Sequence, residues 1–294
     1  MPPSPTAGDK RRALAARIRD GRFVVAPGIF DMISARMADR MGFDCLYMTG
    51  FGTVASLLGL PDAGIATYSQ MVERVARFAD GTATPIVADA DTGYGGLLNV
   101  AHAVRGYEAA GAAGIQIEDQ EFPKKCGHTP GRRVIPMADM VRKIRVAADA
   151  RGDRDFLIVA RTDARTTLGL DEALRRAEAY REAGADILFV ESPESEAEME
   201  EIGRRIDAPL LANLVEGGRT PMLMPERLDA IGYGMAIYPA SGFLATAAAL
   251  DGVYGALKAT GTTNGGATPI YAFAEMTRLM GFEEVWAFER KWAE

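Results

Sequence analysis

The chain has 294 residues, of which 48% are apolar and 25% charged. That supplies enough apolar surface to offset chain entropy and excludes a largely disordered polypeptide. Two cysteines exclude a disulfide scaffold, and a net charge of −7 excludes a nucleic-acid binder built on a basic face.

The first twenty residues, MPPSPTAGDKRRALAARIRD, hold no apolar core of secretory type after their basic residues. No run approaches the roughly 18 apolar residues of a membrane span. The expectation is a cytoplasmic protein with reduced thiols and no membrane partner. Met1 to Gly8 is rich in Pro and small residues, and a basic helix follows over about Asp9 to Asp20.

From there short apolar runs suited to buried parallel strands alternate with longer helical patterns. The strand candidates are Phe23–Ala26, Cys45–Met48, Ile86–Ala88, Gly114–Ile117, Phe156–Ala160, Ile187–Val190, Leu210–Ala212 and Met235–Tyr238. Gly42, Gly111 and Gly184 each stand just before a strand, where a glycine suits a helix C-terminus. Asp171 reads as an N-cap, and the Ala-rich stretch Phe243–Leu250 reads as a packed helix. Eight β-then-α units in about 250 residues predict an α/β fold of the (β/α)8 barrel type. An open doubly wound sheet is disfavoured, because Pro27-Gly28-Ile29-Phe30 replaces the Gly-rich dinucleotide fingerprint and no phosphate loop is present. One barrel domain is expected over 1–294, with an N-terminal helix and a C-terminal helical extension.

Each apolar strand is followed at once by residues that a mere connector does not need. They are Thr49-Gly50, Asp89-Ala90-Asp91-Thr92-Gly93, Glu118-Asp119-Gln120, Arg161-Thr162-Asp163, Glu191-Ser192, Asn213 with Glu216, and Pro239 with Ser241. In a barrel these strand ends converge on one face, where active sites are built. Asp89, Asp91, Glu118 and Asp62 around one centre repel unless a cation or proton intervenes. A hard divalent ion answers that need: Mg2+, or Mn2+ in its place. Asp89-x-Asp91 serves one centre if Asp91 lies just beyond the strand. The plainer alternative is that these aspartates are turn formers.

The connection Gln120–Ile135, QEFPKKCGHTPGRRVI, exceeds the about two to six residues usual for a βα loop and predicts a lid. It carries Lys124, Lys125, His128, Arg132 and Arg133, and the thiol of Cys126. A thiol beside those cations suits acid, base or nucleophilic work; the alternative is an inert surface thiol. Cys45 opens an apolar strand and belongs to the core. Cys126 and His128 are too few ligands for a zinc site.

Taken together, Pro27-Gly28-Ile29-Phe30-Asp31, Gly59-Leu60-Pro61-Asp62, Asp89-Ala90-Asp91-Thr92-Gly93-Tyr94-Gly95, Ile117-Glu118-Asp119-Gln120, Lys124-Lys125-Cys126-Gly127-His128, Ala160-Arg161-Thr162-Asp163-Ala164 and Asn213-Leu214-Val215-Glu216-Gly217-Gly218 carry a resemblance. From about Val24 to Phe243 the sequence resembles the isocitrate lyase/phosphoenolpyruvate mutase superfamily, in its short lyase branch of methylisocitrate lyase and 2,3-dimethylmalate lyase type. The Lys-Lys-Cys-Gly-His motif marks the carbon–carbon lyases.

The resemblance implies cleavage of a di- or tricarboxylate to a 2-oxo acid and a carboxylate. It implies Asp89 as direct Mg2+ ligand, with Asp62, Asp91 and Glu118 holding its waters. Thr49, Gly50 and Phe51 match a carboxylate-binding stretch, and Arg161 the side chain that clamps the 2-oxo-acid end. Glu191, Asn213 and Glu216 match further pocket positions. Cys126 is implied as general acid, with Lys124, Gly127 and His128 around it. A homotetramer, a dimer of dimers with its last barrel helix exchanged between subunits, is also implied. The bulk of Phe51 and the sequences Val190-Glu191-Ser192-Pro193 and Val215-Glu216-Gly217-Gly218 depart from the methylisocitrate lyase pattern and favour a smaller 2-alkylmalate. Oxaloacetate hydrolase, decarboxylase and phosphonate mutase chemistry are the rival activities of the superfamily.

Overall fold

The structure is a computed structural model that describes residues 5–127 and 131–293. The chain divides into two compact units, one up to Gly242 and one from Phe243 onward. In the first, the elements run α1 (Ala7–Arg19), β1 (Val24–Ile29), α2 (Met32–Asp39), β2 (Leu46–Met48), α3 (Gly50–Leu58), α4 (Tyr68–Gly81), β3 (Ile86–Asp89), α5 (Leu97–Ala109), β4 (Gly114–Glu118), α6 (Met137–Ala150), β5 (Leu157–Thr162), α7 (Ala164–Leu168), α8 (Leu170–Glu182), β6 (Ile187–Val190), α9 (Glu196–Arg205), β7 (Leu210–Asn213), α10 (Pro225–Ala230) and β8 (Tyr233–Tyr238). Then come α11 (Ser241–Thr260), α12 (Phe273–Leu279) and α13 (Phe282–Trp292).

Among the described residues, eight parallel strands close into a barrel in sequence order, with β1 paired to both β2 and β8. The expected (β/α)8 barrel is therefore present. Alternation along each strand sorts the core into two layers. Leu46, Met48, Ile86, Ala88, Ile115, Ile117, Ile158 and Ala160 face the helices. Val24, Ala26, Tyr47, Val87, Val159, Phe189, Leu211 and Ile237 fill the interior. The interior cluster also includes Leu14, Ala15 and Ile18 of α1, whose apolar face is buried against it. Burying Leu14 and Ile18 contributes about 1.5–3 kcal/mol each.

Local signals set the helix ends. Thr6 and Asp9 form a reciprocal capping box at α1, and Thr67 and Gln70 form another at α4. Gly42, Gly111 and Gly184 all have positive φ, as expected of glycines that end helices. Asp171 is not an N-cap: Gly169 holds that position and Asp171 lies in the first turn of α8, where its charge favours the helix dipole.

The strands differ from the sequence expectation mainly at their C-terminal ends. Asp89, Glu118, Arg161, Thr162 and Asn213 belong to β3, β4, β5 and β7 rather than to the loops after them. Their backbones keep the parallel ladder, as in Glu118↔Arg161, while their side chains turn polar. The stretch Phe243–Leu250 is helical, within α11, but contrary to the expectation of a packed helix none of the residues of α11 is buried. Among the described residues, no helix is long and apolar enough to cross a membrane.

Candidate active site at the carboxyl ends of the barrel strands

The site follows from strand parity. Tyr47, Val87, Gln116, Val159, Phe189 and Leu211 lie on the inward side of their strands. Two residues further along each strand line come Thr49, Asp89, Glu118, Arg161, Glu191 and Asn213. Thus the register that fills the barrel with apolar side chains also delivers one polar side chain from each of six strands to the mouth. All six are buried. Tyr47 and Gln116 extend the polar set one layer deeper: the Tyr47 hydroxyl donates to Gln116 Oε1 at 2.6 Å, and Gln116 Nε2 lies 3.5 Å from Glu118 Oε2. Sequence reading passed over both, although a polar residue of inward parity in an apolar strand was the available signal.

One side of the mouth is acidic. Asp91 lies just past β3 with φ 50°, so its backbone N–H reaches Asp89 Oδ1 at 2.9 Å. Tyr94 in the same loop also has positive φ. A non-glycine residue held there costs free energy that its surroundings must offset. Gly50 opens α3 hard against this centre: a Cβ on it would fall 2.3 Å from Asp89 Oδ2. The N-terminus of α3, with its N–H groups and positive dipole end, therefore meets the acidic side at Thr49-Gly50-Phe51. Thr49 makes no side-chain capping bond to the helix, and Phe51 is half-exposed.

Into this cluster runs Lys124. Its Nζ lies 2.5 Å from Asp62 and 2.7 Å from Asp91. Burial works against its charge, but Asp91 first, then Asp89, Asp62 and Glu118, hold the ammonium well above its usual pKa. Burial pushes Asp91 up to about 7, with Lys124 pulling the other way and Asp89 and Asp62 adding to the rise. Burial raises Asp89 and Glu118 as well.

The other side is built around Arg161. Its Nε and Nη2 bond the two oxygens of Asp163 at 2.9 and 2.8 Å, and Nη1 faces Glu118 at 3.4 Å and Glu191 at 3.5 Å. The guanidinium also lies over the Phe189 ring, 5.1 Å from its centroid. Asn213 Nδ2 and the Ser192 hydroxyl donate to opposite oxygens of Glu191, at 3.0 and 2.8 Å. Behind the mouth, Asp119 accepts from Thr162, Arg176, Tyr180 and the Asp163 backbone N–H. That fixes the loop carrying Asp163. Glu216 stands apart: it is exposed and bonded to the Ser241 hydroxyl.

The described parts of the Gln120–Ile135 connection, residues 120–127 and 131–135, lie at the mouth. The connection is pinned by the Gln120–Val134 bridge and by both amide atoms of Gln120 on the Lys125 backbone, and the Gly127 carbonyl lies 3.1 Å from the Ser192 hydroxyl. Gly127 is so close that a Cβ on it would fall 2.4 Å from Arg161 Nη2 and 2.9 Å from Glu191 Oε2. Cys126, half-buried, is one residue away. Lys124 and Arg132, read from sequence as part of a basic loop, are both buried on carboxylates. His128 lies outside the described residues.

With this geometry in view, comparison with known proteins identifies the family. Residues 14–257 match the family model described as phosphoenolpyruvate phosphomutase. The chain belongs to the phosphoenolpyruvate mutase/isocitrate lyase superfamily. It is 49% identical over 289 residues to a 2,3-dimethylmalate lyase of Eubacterium barkeri, covering 98% of each chain. To a 2-methylisocitrate lyase of Aeropyrum pernix it is 42% identical over 271 residues, covering 92% of this chain and 86% of that one. A crystal structure of a 2,3-dimethylmalate lyase superposes with a TM-score of 0.89 at 35% identity, covering 99% and 97%. Within the superfamily the chain is a carbon–carbon lyase.

The superfamily is divalent-metal dependent, and the donor set of this lyase fits such an ion. Asp62, Asp89, Asp91 and Glu118 are hard oxygen donors, all buried, and burial raises the proton affinities of Asp89, Asp91 and Glu118. Glu118 Oε1 has no hydrogen-bond partner among the described residues. Among those residues no three His, Cys, Asp or Glu side chains converge tightly enough to hold an ion as they stand. The Lys124 ammonium, bridging Asp62 and Asp91, supplies the positive charge there.

Proposed function

We propose that this chain cleaves the C2–C3 bond of a 2-alkylmalate, giving a 2-oxo acid such as pyruvate and a carboxylate. The observation that carries the reading is the approach of Gly127 to Arg161 and Glu191, which sets Cys126 beside the mouth that holds the acidic cluster. Asp89, with Asp62, Asp91 and Glu118, would hold a Mg2+ ion, which would supply Lewis-acid polarisation of the 2-hydroxy-carboxylate end of the substrate. Arg161 Nη1 and the N–H groups at the start of α3 bind the carboxylates. A carboxylate of the acidic cluster takes the hydroxyl proton. The C2–C3 bonding pair then passes to C3, and the Cys126 thiol delivers a proton to that carbon. The thiolate left behind is tolerated near Lys124 and Lys125. The Gln120–Ile135 connection keeps solvent from the carbanion.

The bulk of Phe51 at the start of α3 and the Glu191 carboxylate at the mouth favour a compact alkyl group over a third carboxylate. A cytoplasmic homotetramer of one-domain subunits, with the C-terminal helix exchanged, is part of the same proposal. It is supported by the apolar side chains that the second unit exposes, among them Leu244, Tyr254, Trp286, Phe288 and Trp292. The test of the activity is 2-oxo-acid release from 2,3-dimethylmalate, citramalate and 2-methylisocitrate in the presence of Mg2+. Release from the alkylmalates above that from methylisocitrate supports the reading, and release from oxaloacetate alone overturns it.

A further inference from the structure

Asp163 is shared. Two of its bonds go to Arg161, and Oδ1 also accepts from Arg132 Nη1 at 2.5 Å. Arg132 lies on the returning limb of the Gln120–Ile135 connection and places its Nη2 2.7 Å from the Thr166 hydroxyl of α7. The side chains of Arg132 and Asp163 have no exposed surface. One buried carboxylate therefore joins the connection over the mouth to the guanidinium within it.

Arg161 faces three carboxylates, those of Asp163, Glu118 and Glu191, and Arg132 shares the first of them. Because Nε and Nη2 of Arg161 are both committed to Asp163, its orientation is fixed with Nη1 turned toward Glu118 and Glu191. We infer that Arg132 is a positioning residue: through the shared Asp163 it seats the returning limb, residues 131–135, and keeps Arg161 aligned for the 2-oxo-acid carboxylate. This rests on the lyase reading for the identity of the ligand but not for the coupling itself.

The test uses Arg132→Met, Arg132→Lys and Thr166→Val in the full-length protein. Two readouts are independent of turnover. The first is thiol labelling of Cys126, for which the fully buried Cys45 gives no background. The second is the affinity for oxalate, a planar stand-in for a 2-oxo acid, with Mg2+ present. Removing one partner of a buried ion pair is strongly unfavourable, so Arg132→Met should label roughly tenfold faster or more and bind oxalate roughly tenfold more weakly. Millimolar guanidinium should restore part of both. Arg132→Lys should fall between wild type and Arg132→Met, and Thr166→Val should shift labelling in the same direction by less. Labelling at the wild-type rate in Arg132→Met overturns the seating role. Faster labelling with unchanged oxalate affinity overturns the coupling to Arg161. If Arg132→Met does not fold, unchanged labelling and affinity in both milder variants overturn the inference. Failure of the lyase reading shows separately, as a wild-type protein that releases no 2-oxo acid.

Discussion

The Lys124 ammonium stands 2.7 Å from the Asp91 carboxylate, with both side chains almost wholly buried. The two belong to different parts of the site, Asp91 to the turn after β3 and Lys124 to the long connection after β4. Their pairing makes the seating of that connection and the electrostatic balance of the acidic cluster one event.

Replacing Lys124 should therefore do more than slow turnover. Lys124→Met leaves Asp62 and Asp91 buried without their cation, a loss on the order of 3–5 kcal/mol if the connection stays in place. The metal-free variant should melt lower than wild type and gain more from added Mg2+, because the ion then relieves repulsion that Lys124 had relieved. Thermal melts with MgCl2 and with EDTA measure the difference. An equal Mg2+ increment in both proteins would contradict the role given to Lys124.

Gly127→Ala tests the contact over the mouth. The added methyl meets an Arg161 guanidinium that Asp163 already holds on two nitrogens, so Arg161 cannot step aside without breaking those bonds. Activity should drop by about a hundredfold, the cost of an ångström-scale misplacement at a reacting centre. The melting temperature should move little, since the connection lies outside the barrel core. Steady-state kinetics alongside a thermal melt separate the two effects.

How far the sequence carried this picture depends on the kind of signal. The strands were legible because parallel barrel strands are continuous apolar runs, and the mouth because the polar residues that end them keep the inward parity of Tyr47, Val87, Val159 and Phe189. Where those strands stop was not legible. Asp89, Arg161 and Asn213 look like loop residues by composition yet still pair as strand. The partners of Asp119, namely Arg176 and Tyr180 on α8, were also out of reach, since helix-to-strand pairing depends on how α8 lies against β5. The burial of Lys124 and Arg132 in a segment rich in charge was likewise invisible: nothing in the local pattern says which basic residues find carboxylates. Exposure of α11 marks the opposite limit, where an apolar pattern correctly indicated a helix but not which of its residues are buried.

Cys126→Ser isolates the proposed proton donor. A serine hydroxyl is a far weaker acid than a thiol, so turnover should fall by roughly a hundredfold to ten-thousandfold, the range of general acid catalysis. Binding of oxalate should persist, because Arg161 and the start of α3 are untouched. Near-normal turnover would remove Cys126 from the chemistry.

Cys45 gives a pH dependence unconnected with the site. Burial pushes its thiol up to about 12, against an ordinary value of 9.0. Between those values the unfolded chain gives up a proton that the folded chain keeps, so stability is complete below about pH 9 and falls as pH rises toward 12, by about 1.4 kcal/mol per pH unit from this group. Cys45→Val should flatten that part of the stability curve. Denaturant melts from pH 8 to pH 10.5 would show it, and an unchanged slope would mean that Cys45 does not contribute.

The central claim is tested most directly by coupling 2-oxo-acid release to lactate dehydrogenase, with 2,3-dimethylmalate, citramalate, 2-methylisocitrate and oxaloacetate as substrates, each with Mg2+ and with EDTA. The account predicts pyruvate or its homologue from a 2-alkylmalate, lost with EDTA and recovered when Mg2+ is restored. Product from oxaloacetate alone, or release that persists in EDTA, would contradict it.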